Sequence, residues 1–258
     1  MERFPVVRIT AEGETRLEED VVAELPVTII LNDRELVTLL CYPVDLKYMV
    51  VGFLASEGMI SGRDDIRLVT VDDQRGIVRV NTAKTQEVDA DVIFKRVISS
   101  GCGRGASFYS AADVSELRVK SDLQISAGEI FDLVNRFQHA SRLYLTTHGI
   151  HSAALCDRKD ILVFGEDIGR HNAIDKIFGK CILEDISTTG RFVITSGRIT
   201  SEILHKIARR NIPLLISISS PTNLGVRLAD TLGITLVASV RGKKMNVYTH
   251  GQRVKSTG

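Results

Sequence analysis

The residues best suited to chemistry form one short run, Ser99-Ser100-Gly101-Cys102-Gly103-Arg104-Gly105. Its three glycines remove the side chains that would bury a thiol and admit backbone angles closed to other residues. Arg104 sets a fixed positive charge two positions from Cys102, and a nearby cation favours the nucleophilic thiolate over the thiol. The other cysteines, Cys41, Cys156 and Cys181, stand in apolar segments and read as core residues. Cys102 is therefore the candidate nucleophile. The plainer alternative is a tight glycine turn whose cysteine merely packs.

Polar residues gather again where strands give way to helices. Phe164-Gly165-Glu166-Asp167-Ile168-Gly169-Arg170-His171-Asn172 leaves a strand, turns on glycines and enters a helix carrying Asp175 and Lys176. Glu166, Asp167, Arg170 and His171 are candidate ligand-binding residues; the alternative is a capped turn with an internal Asp167–Arg170 pair. Thr195-Ser196-Gly197-Arg198-Ile199-Thr200-Ser201 offers a guanidinium fork at Arg198, suited to phosphate, and hydroxyls that can cap a helix or bind oxygen atoms. Ser217-Ile218-Ser219-Ser220-Pro221-Thr222-Asn223 is a weaker, hydroxyl-rich turn. Near the end, Val240-Arg241-Gly242-Lys243-Lys244-Met245 puts three cations around a glycine, either a polyphosphate grip or a solvated hairpin tip. Neither a Walker A loop nor a strand-linked G-x-G-x-x-G is present. His148 and His151, with Cys102 and Cys156, have the composition of a zinc set, but no Cys-x-x-Cys occurs. The simpler role for either histidine is proton handling near the thiol or ligand binding, and the protein is read as ligating no metal itself.

The elements that must position these residues are legible in outline. Val21–Leu40 reads as a hairpin about Asn32-Asp33. Asp45 reads as the N-cap of a helix through Leu46, Met49, Val50, Phe53 and Leu54, ended by Glu57-Gly58. Ile66–Val71, Ile77–Asn81 and a segment within Glu87–Ser100 are strand candidates, and Ser110–Ser126 is a polar stretch. Ala127–Gln138 has helical spacing. Beyond it, strands at Ala153–Cys156, Asp160–Phe164, Phe192–Thr195, Leu214–Ile218 and Thr235–Ser239 alternate with helices at His171–Phe178, Ser201–Arg209 and Asn223–Thr231. That alternation predicts an α/β layered sheet, whose ligands gather at the carboxyl ends of strands. The expected division is a strand-rich part over residues 1–125, ending in the Cys102 loop, and an α/β core over 126–258, the two intertwined.

The bulk numbers narrow the function. The 258 residues carry 33 basic and 32 acidic side chains, so no global field draws in nucleic acid or an acidic membrane. Mean hydropathy is +0.07. No apolar run approaches the roughly 18 residues of a membrane span, the start lacks a signal-peptide pattern, and four cysteines without paired spacing are no disulfide framework. A cytoplasmic location is expected.

With these segments in hand, the chain resembles the formate dehydrogenase accessory sulfurtransferase family (FdhD). The matching segments include Glu24-Leu25-Pro26-Val27, Pro43-Val44-Asp45-Leu46, Gly52–Gly58, Gly101-Cys102-Gly103 and Thr147–Ala154. They continue with Glu166–Lys176, Thr195-Ser196-Gly197-Arg198 and Arg241–Tyr248. The resemblance implies a three-layer α/β/α, cytidine-deaminase-like core without the deaminase zinc chemistry, and a homodimer. It implies a sulfurtransferase that accepts sulfur from a cysteine desulfurase as a persulfide. That sulfur passes to the molybdenum (or tungsten) bis(molybdopterin guanine dinucleotide) cofactor used by formate dehydrogenase. Cys102 matches the persulfide cysteine, with Arg104 beside it. Val240 to Met245 match cofactor binding best, with Glu166, Asp167, Arg170, His171 and Arg198 as neighbours; a guanine nucleotide such as GDP would fit that site. Many members carry Cys-x-x-Cys where this chain has Gly105, which leaves Cys102 to work alone. Two other classes stay open: a non-catalytic cofactor chaperone for formate dehydrogenase, and a zinc-dependent nucleotide-processing enzyme.

Overall fold

A computed structural model describes residues 1–83 and 117–256. Cys102, Arg104, the strand expected within 87–100 and the first part of the polar stretch lie outside the described residues.

The chain opens with an antiparallel pair, β1 (Glu2–Thr10) and β2 (Gly13–Val21), which the hydrophobic pattern did not announce because most of its residues face solvent. The expected hairpin follows as β3 (Leu25–Leu31) and β4 (Arg34–Cys41). Asn32 and Asp33 both adopt left-handed angles, φ 48° and 63°, the conformation a two-residue hairpin turn demands. Helix α1 (Leu46–Ser56) comes next, then β5 (Ile66–Asp72) and β6 (Ile77–Thr82). Asp45 precedes α1 as expected but is itself left-handed, and its side chain makes no capping bond. The four strands form one sheet in the order β4-β3-β6-β5, with β3 and β6 parallel.

The second half builds a six-stranded sheet. After β7 (Ile125–Ser126), α2 (Ala127–Ala140) and the short α3 (Arg142–Thr147) come β8 (His151–Cys156) and β9 (Ile161–Asp167). Then follow α4 (Arg170–Leu183), β10 (Phe192–Thr195), α5 (Ser201–Arg209) and β11 (Leu214–Ser217). The last elements are α6 (Asn223–Leu232), β12 (Thr235–Arg241), β13 (Lys244–Thr249) and β14 (Val254–Lys255). The order is β13-β12-β11-β10-β8-β9, with β10, β11 and β12 parallel. Alternate residues of these strands feed two cores. Leu155, Val193, Leu215 and Leu236 pack with α4, α5 and α6. Ala154, Ile194, Ile216 and Val237 pack with Ile130, Leu133, Val134 and Phe137 of α2. Helices therefore cover both faces of the sheet, giving the layered mixed α/β architecture that the alternation predicted.

Helix α1 joins the two halves. Nine of its eleven residues are buried, as expected of a helix apolar all round. One side packs on Val27, Ile29, Val78 and Val80 of the small sheet, the other on α4. The helices meet backbone to backbone. A methyl group at Gly52 would stand 1.8 Å from the Asp175 carbonyl oxygen, and one at Gly179 would stand 1.8 Å from that of Tyr48. No side chain can yield there, so Gly179→Ala should reach the upper end of the roughly 1–3 kcal/mol that overpacking costs. Gly62→Ala, which meets nothing within 4 Å, should stay within about 0.5 kcal/mol of wild type. Urea denaturation compares the two; equal midpoints would show that the helices part at this crossing without penalty.

Candidate functional site

Parallel β10, β11 and β12 all point their carboxyl ends to one edge of the large sheet. β8 runs against β10, pairing Ala153 with Thr195, so its first residue, His151, arrives at that same edge. β9 runs against β8, pairing Asp167 with His151, so its last residues end there too. Helices α4, α5 and α6 begin from these strand ends. The topology thus brings together the acidic turn, the Ser196–Arg198 turn, the Ser217–Asn223 turn and, at the end of β12, the cationic tip.

Most hydroxyls at this edge stitch the loops to one another. Ser196 Oγ accepts the Ser152 N–H at 2.9 Å, and Ser217 Oγ donates to the Gly197 carbonyl at 2.7 Å. Ser219 N–H donates to Ser217 Oγ, and Ser239 N–H to the Ser219 carbonyl, each at 2.9 Å. Thr222 caps α6 through the Gly225 N–H, whereas Thr200, the corresponding residue before α5, makes no capping bond. A cavity of about 300 Å³ opens beside these stitches. Phe137, Gln138, Ser141, Tyr144, His148, Gly149, Ile150, His151, Ser152, Ile168, Ser196 and Ile218 line it. Of these the sequence singled out His148, His151 and Ser196. Ser141 and Tyr144 escaped notice because α3 is a single short helix whose residues carry no motif. The i, i+4 spacing of Tyr144 and His148, whose rings meet edge to face at 5.2 Å, was the available signal.

The acidic motif divides between the cavity and the interior. Glu166 is half-buried and hydrogen-bonded to Ser141 Oγ. Asp167 is wholly buried and fully occupied: Lys176 Nζ lies 2.8 Å away, and the carboxylate accepts from the Tyr42 and Gly169 N–H groups and from Asn172 Nδ2. Its ion-pair partner is thus Lys176, nine residues along the chain. Lys176 spends its remaining donors on the carbonyls of Tyr42 and Glu166, so all three ammonium hydrogens are placed. The pair fastens the end of β4 to α4. A second buried set, Asp175 with Lys206 at 2.8 Å and Ser56 Oγ at 2.7 Å, fastens α1, α4 and α5.

Arg170, 6% exposed, packs its stem on Gly197, where an added methyl would come within 2.6 Å of the Arg170 Cβ. His171 Nε2 stands 3.1 Å from Glu202 Oε2, and burial outweighs that carboxylate to push the imidazole pKa down. Arg198 is exposed at the edge. Val240 is buried in the α2-facing core, and Met245 packs against the same cluster. Arg241, Gly242, Lys243 and Lys244 form the exposed tip of the β12–β13 hairpin. Cys156 lies five residues along β8 from His151, in the core, so it does not join the histidines. Among the described residues no group of three or more His, Cys, Asp or Glu is placed to hold a metal ion.

Residues 22–255 match the family model described as the FdhD/NarQ family. The chain belongs to the FdhD/NarQ family. The sulfur carrier protein FdhD of Bacillus pumilus is 41% identical over 251 residues, covering 96% of each chain. That of Bacillus subtilis is 40% identical over 246 residues, covering 95% of this chain and 94% of its own. A crystal structure described as that of a formate dehydrogenase accessory protein from Desulfotalea psychrophila superposes with a TM-score of 0.81. Its identity is 31%, and the match covers 98% of this chain and 99% of that one. The matched region of the family model begins after the β1–β2 pair.

Two outcomes test this site's chemistry. Lys176→Met leaves the Asp167 carboxylate buried without its cation, which should cost roughly 3–5 kcal/mol in urea denaturation. A loss below about 1 kcal/mol, typical of exposed pairs, would mean the joint does not depend on it. Burial pushes the thiols of Cys41 and Cys156 up to about 12 and that of Cys181 to about 11, so at pH 8 all three are protonated and inert. Cys102→Ser protein should therefore take no iodoacetamide adduct while native, and its three remaining cysteines should react only after unfolding. Mass spectrometry of intact protein counts the adducts.

Proposed function

We propose that this protein is a sulfur carrier serving formate dehydrogenase maturation, with Cys102 as the thiol that bears the sulfur. The carrying observation is near-complete similarity, at about 40% identity, to proteins named for sulfur carriage. It meets a glycine-framed cysteine beside an arginine in a chain whose described cysteines are all buried. In the transfer step the Cys102 thiolate attacks the terminal sulfur of a persulfide on a cysteine desulfurase. A new sulfur–sulfur bond forms at Cys102, the donor's bond breaks, and the desulfurase thiolate leaves with the electron pair. Arg104 favours the attacking thiolate. Exchange of this kind needs one thiol, so Gly105 in place of a second loop cysteine removes a shuttle without removing the step.

The cargo is proposed to be the bis(molybdopterin guanine dinucleotide) cofactor of molybdenum or tungsten, held at the carboxyl edge of the large sheet. Arg198, Arg241, Lys243 and Lys244 supply exposed cations there for its phosphates, and the cavity beside His151 offers a half-open, partly apolar recess. His151 on β8 and the tip beyond β12 are separated by three strand spacings, roughly 14 Å at ~4.8 Å each, a span suited to an elongated nucleotide. We also propose a homodimer acting in the cytoplasm, a cytidine-deaminase-like core, and a division of labour between a sulfur-bearing part over 1–125 and a cofactor-holding part over 126–258. The layering of helices on both sheet faces supports the fold assignment. No helix among the described residues is long and apolar enough to cross a membrane.

The test is intact-mass analysis after incubation with a cysteine desulfurase and cysteine. Wild type should gain the mass of one sulfur atom, reversed by reductant, and Cys102→Ser should gain none. No gain in either protein would replace carriage with a cofactor chaperone in which Cys102 is dispensable.

A further inference from the structure

The cavity wall holds an imidazole with unusual surroundings. His151 opens β8, is half-buried, and has Nδ1 3.2 Å from Ser196 Oγ. That oxygen already accepts the Ser152 N–H. The hydroxyl still has one hydrogen to give and one lone pair to offer. It can donate to Nδ1 of a neutral ring or accept from the Nδ1–H of an imidazolium, and the ring need not turn. In both states Nε2 is the nitrogen left for a ligand.

The charges facing this ring are mostly positive. Burial, together with Arg170 and His171 from α4 and Arg198 from the β10–α5 turn, holds the imidazole pKa below its ordinary value, and Asp167 on β9 opposes them. Asp167 is already committed to Lys176. The remaining wall carries Tyr144 of α3, His148 just beyond that helix, and Ser141, which is bonded to Glu166 of β9. The ring thus stands near fixed positive charges and gives up its proton more readily than a solvated imidazole.

We propose that His151 is the recognition residue of this cavity, and that an anionic group seated there is bound together with one proton taken up by its imidazole. The proposal rests on the reading of this edge as a guanine-nucleotide site. The anion offsets the repulsion from Arg170 and Arg198, and the charge of the imidazolium strengthens the Nε2–H that the neutral ring already presents to it. The sign follows from linkage. In the free protein the proton leaves below the ordinary value of about 6.5; with the anion present it leaves at a higher pH. Between those two points each unit fall in pH strengthens binding by up to about tenfold. Outside them His151 contributes no pH dependence.

The experiment uses the full chain and GDP as probe. Calorimetry in buffers of different ionisation enthalpy, near neutral pH, measures proton uptake by wild type and by His151→Gln. Titration of the nucleotide's own phosphate is common to both and cancels in the difference. In parallel, NMR follows the His151 ring through pH with and without GDP. Wild type should take up more protons per GDP than the variant, by up to about one, and the His151 titration should move to higher pH with GDP. The wild-type titration decides alone if His151→Gln fails to fold. Equal uptake with an unmoved titration overturns the coupling and leaves the nucleotide site standing. Failure of wild type to bind GDP overturns the nucleotide reading and the coupling with it.

Discussion

Everything in this molecule hangs on two helices that touch through their backbones. Gly52 on α1 and Gly179 on α4 leave no room for a β-carbon, and around that contact the chain has buried its ion pairs. Asp167–Lys176 ties α4 to the end of β4, and Asp175–Lys206 ties it to α5 while accepting from Ser56 on α1. Charges so placed are costly to bury and costlier to leave unpaired. They add fixed polar attachments between the two halves to the apolar packing. The large sheet's carboxyl edge inherits its geometry from this joint, because α4 starts at that edge and passes through the crossing.

At the edge, the same residue types serve two purposes. Serines 152, 196, 217, 219 and 239 join consecutive turns through hydrogen bonds, which fixes the loops before any ligand arrives. Pre-set loops spare a ligand the entropy of ordering them. The groups still exposed after that stitching include cations, at Arg198 and around Gly242.

The second-half alternation was legible because each strand is a short apolar run and α2, α5 and α6 each have an apolar stripe; β10 and α5 fall where the pattern put them. The β3–β4 turn was legible because Asn and Asp tolerate left-handed angles. The β1–β2 pair was not, since a solvated ribbon has no buried face to impose a period. The Glu166–Lys176 string announced itself as special, but local sequence could not show which of its members face inward. Asp167 and Lys176 have their partners at Tyr42 and in each other, and Asp175 meets Ser56 from far along the chain. A residue whose partner is more than a hundred positions away carries no short-range signature of burial. The cavity was half-legible for a related reason: its histidines sit in a motif, while Phe137, Ser141 and Tyr144 reach it from α2, α3 and the residue between them, where helical spacing speaks only of packing.

The three buried cysteines bear on chemistry they do not perform. Cys41, Cys156 and Cys181 occupy three separate cores, each without access to solvent and each held as a thiol. A sulfane sulfur is vulnerable to any neighbouring thiolate, which can displace it as sulfide and close a disulfide. Walling off these three thiols makes the described fold a non-competing container: sulfur carried on Cys102, as proposed, would find no exit through them, and its lifetime would be set by whatever molecule comes to collect it.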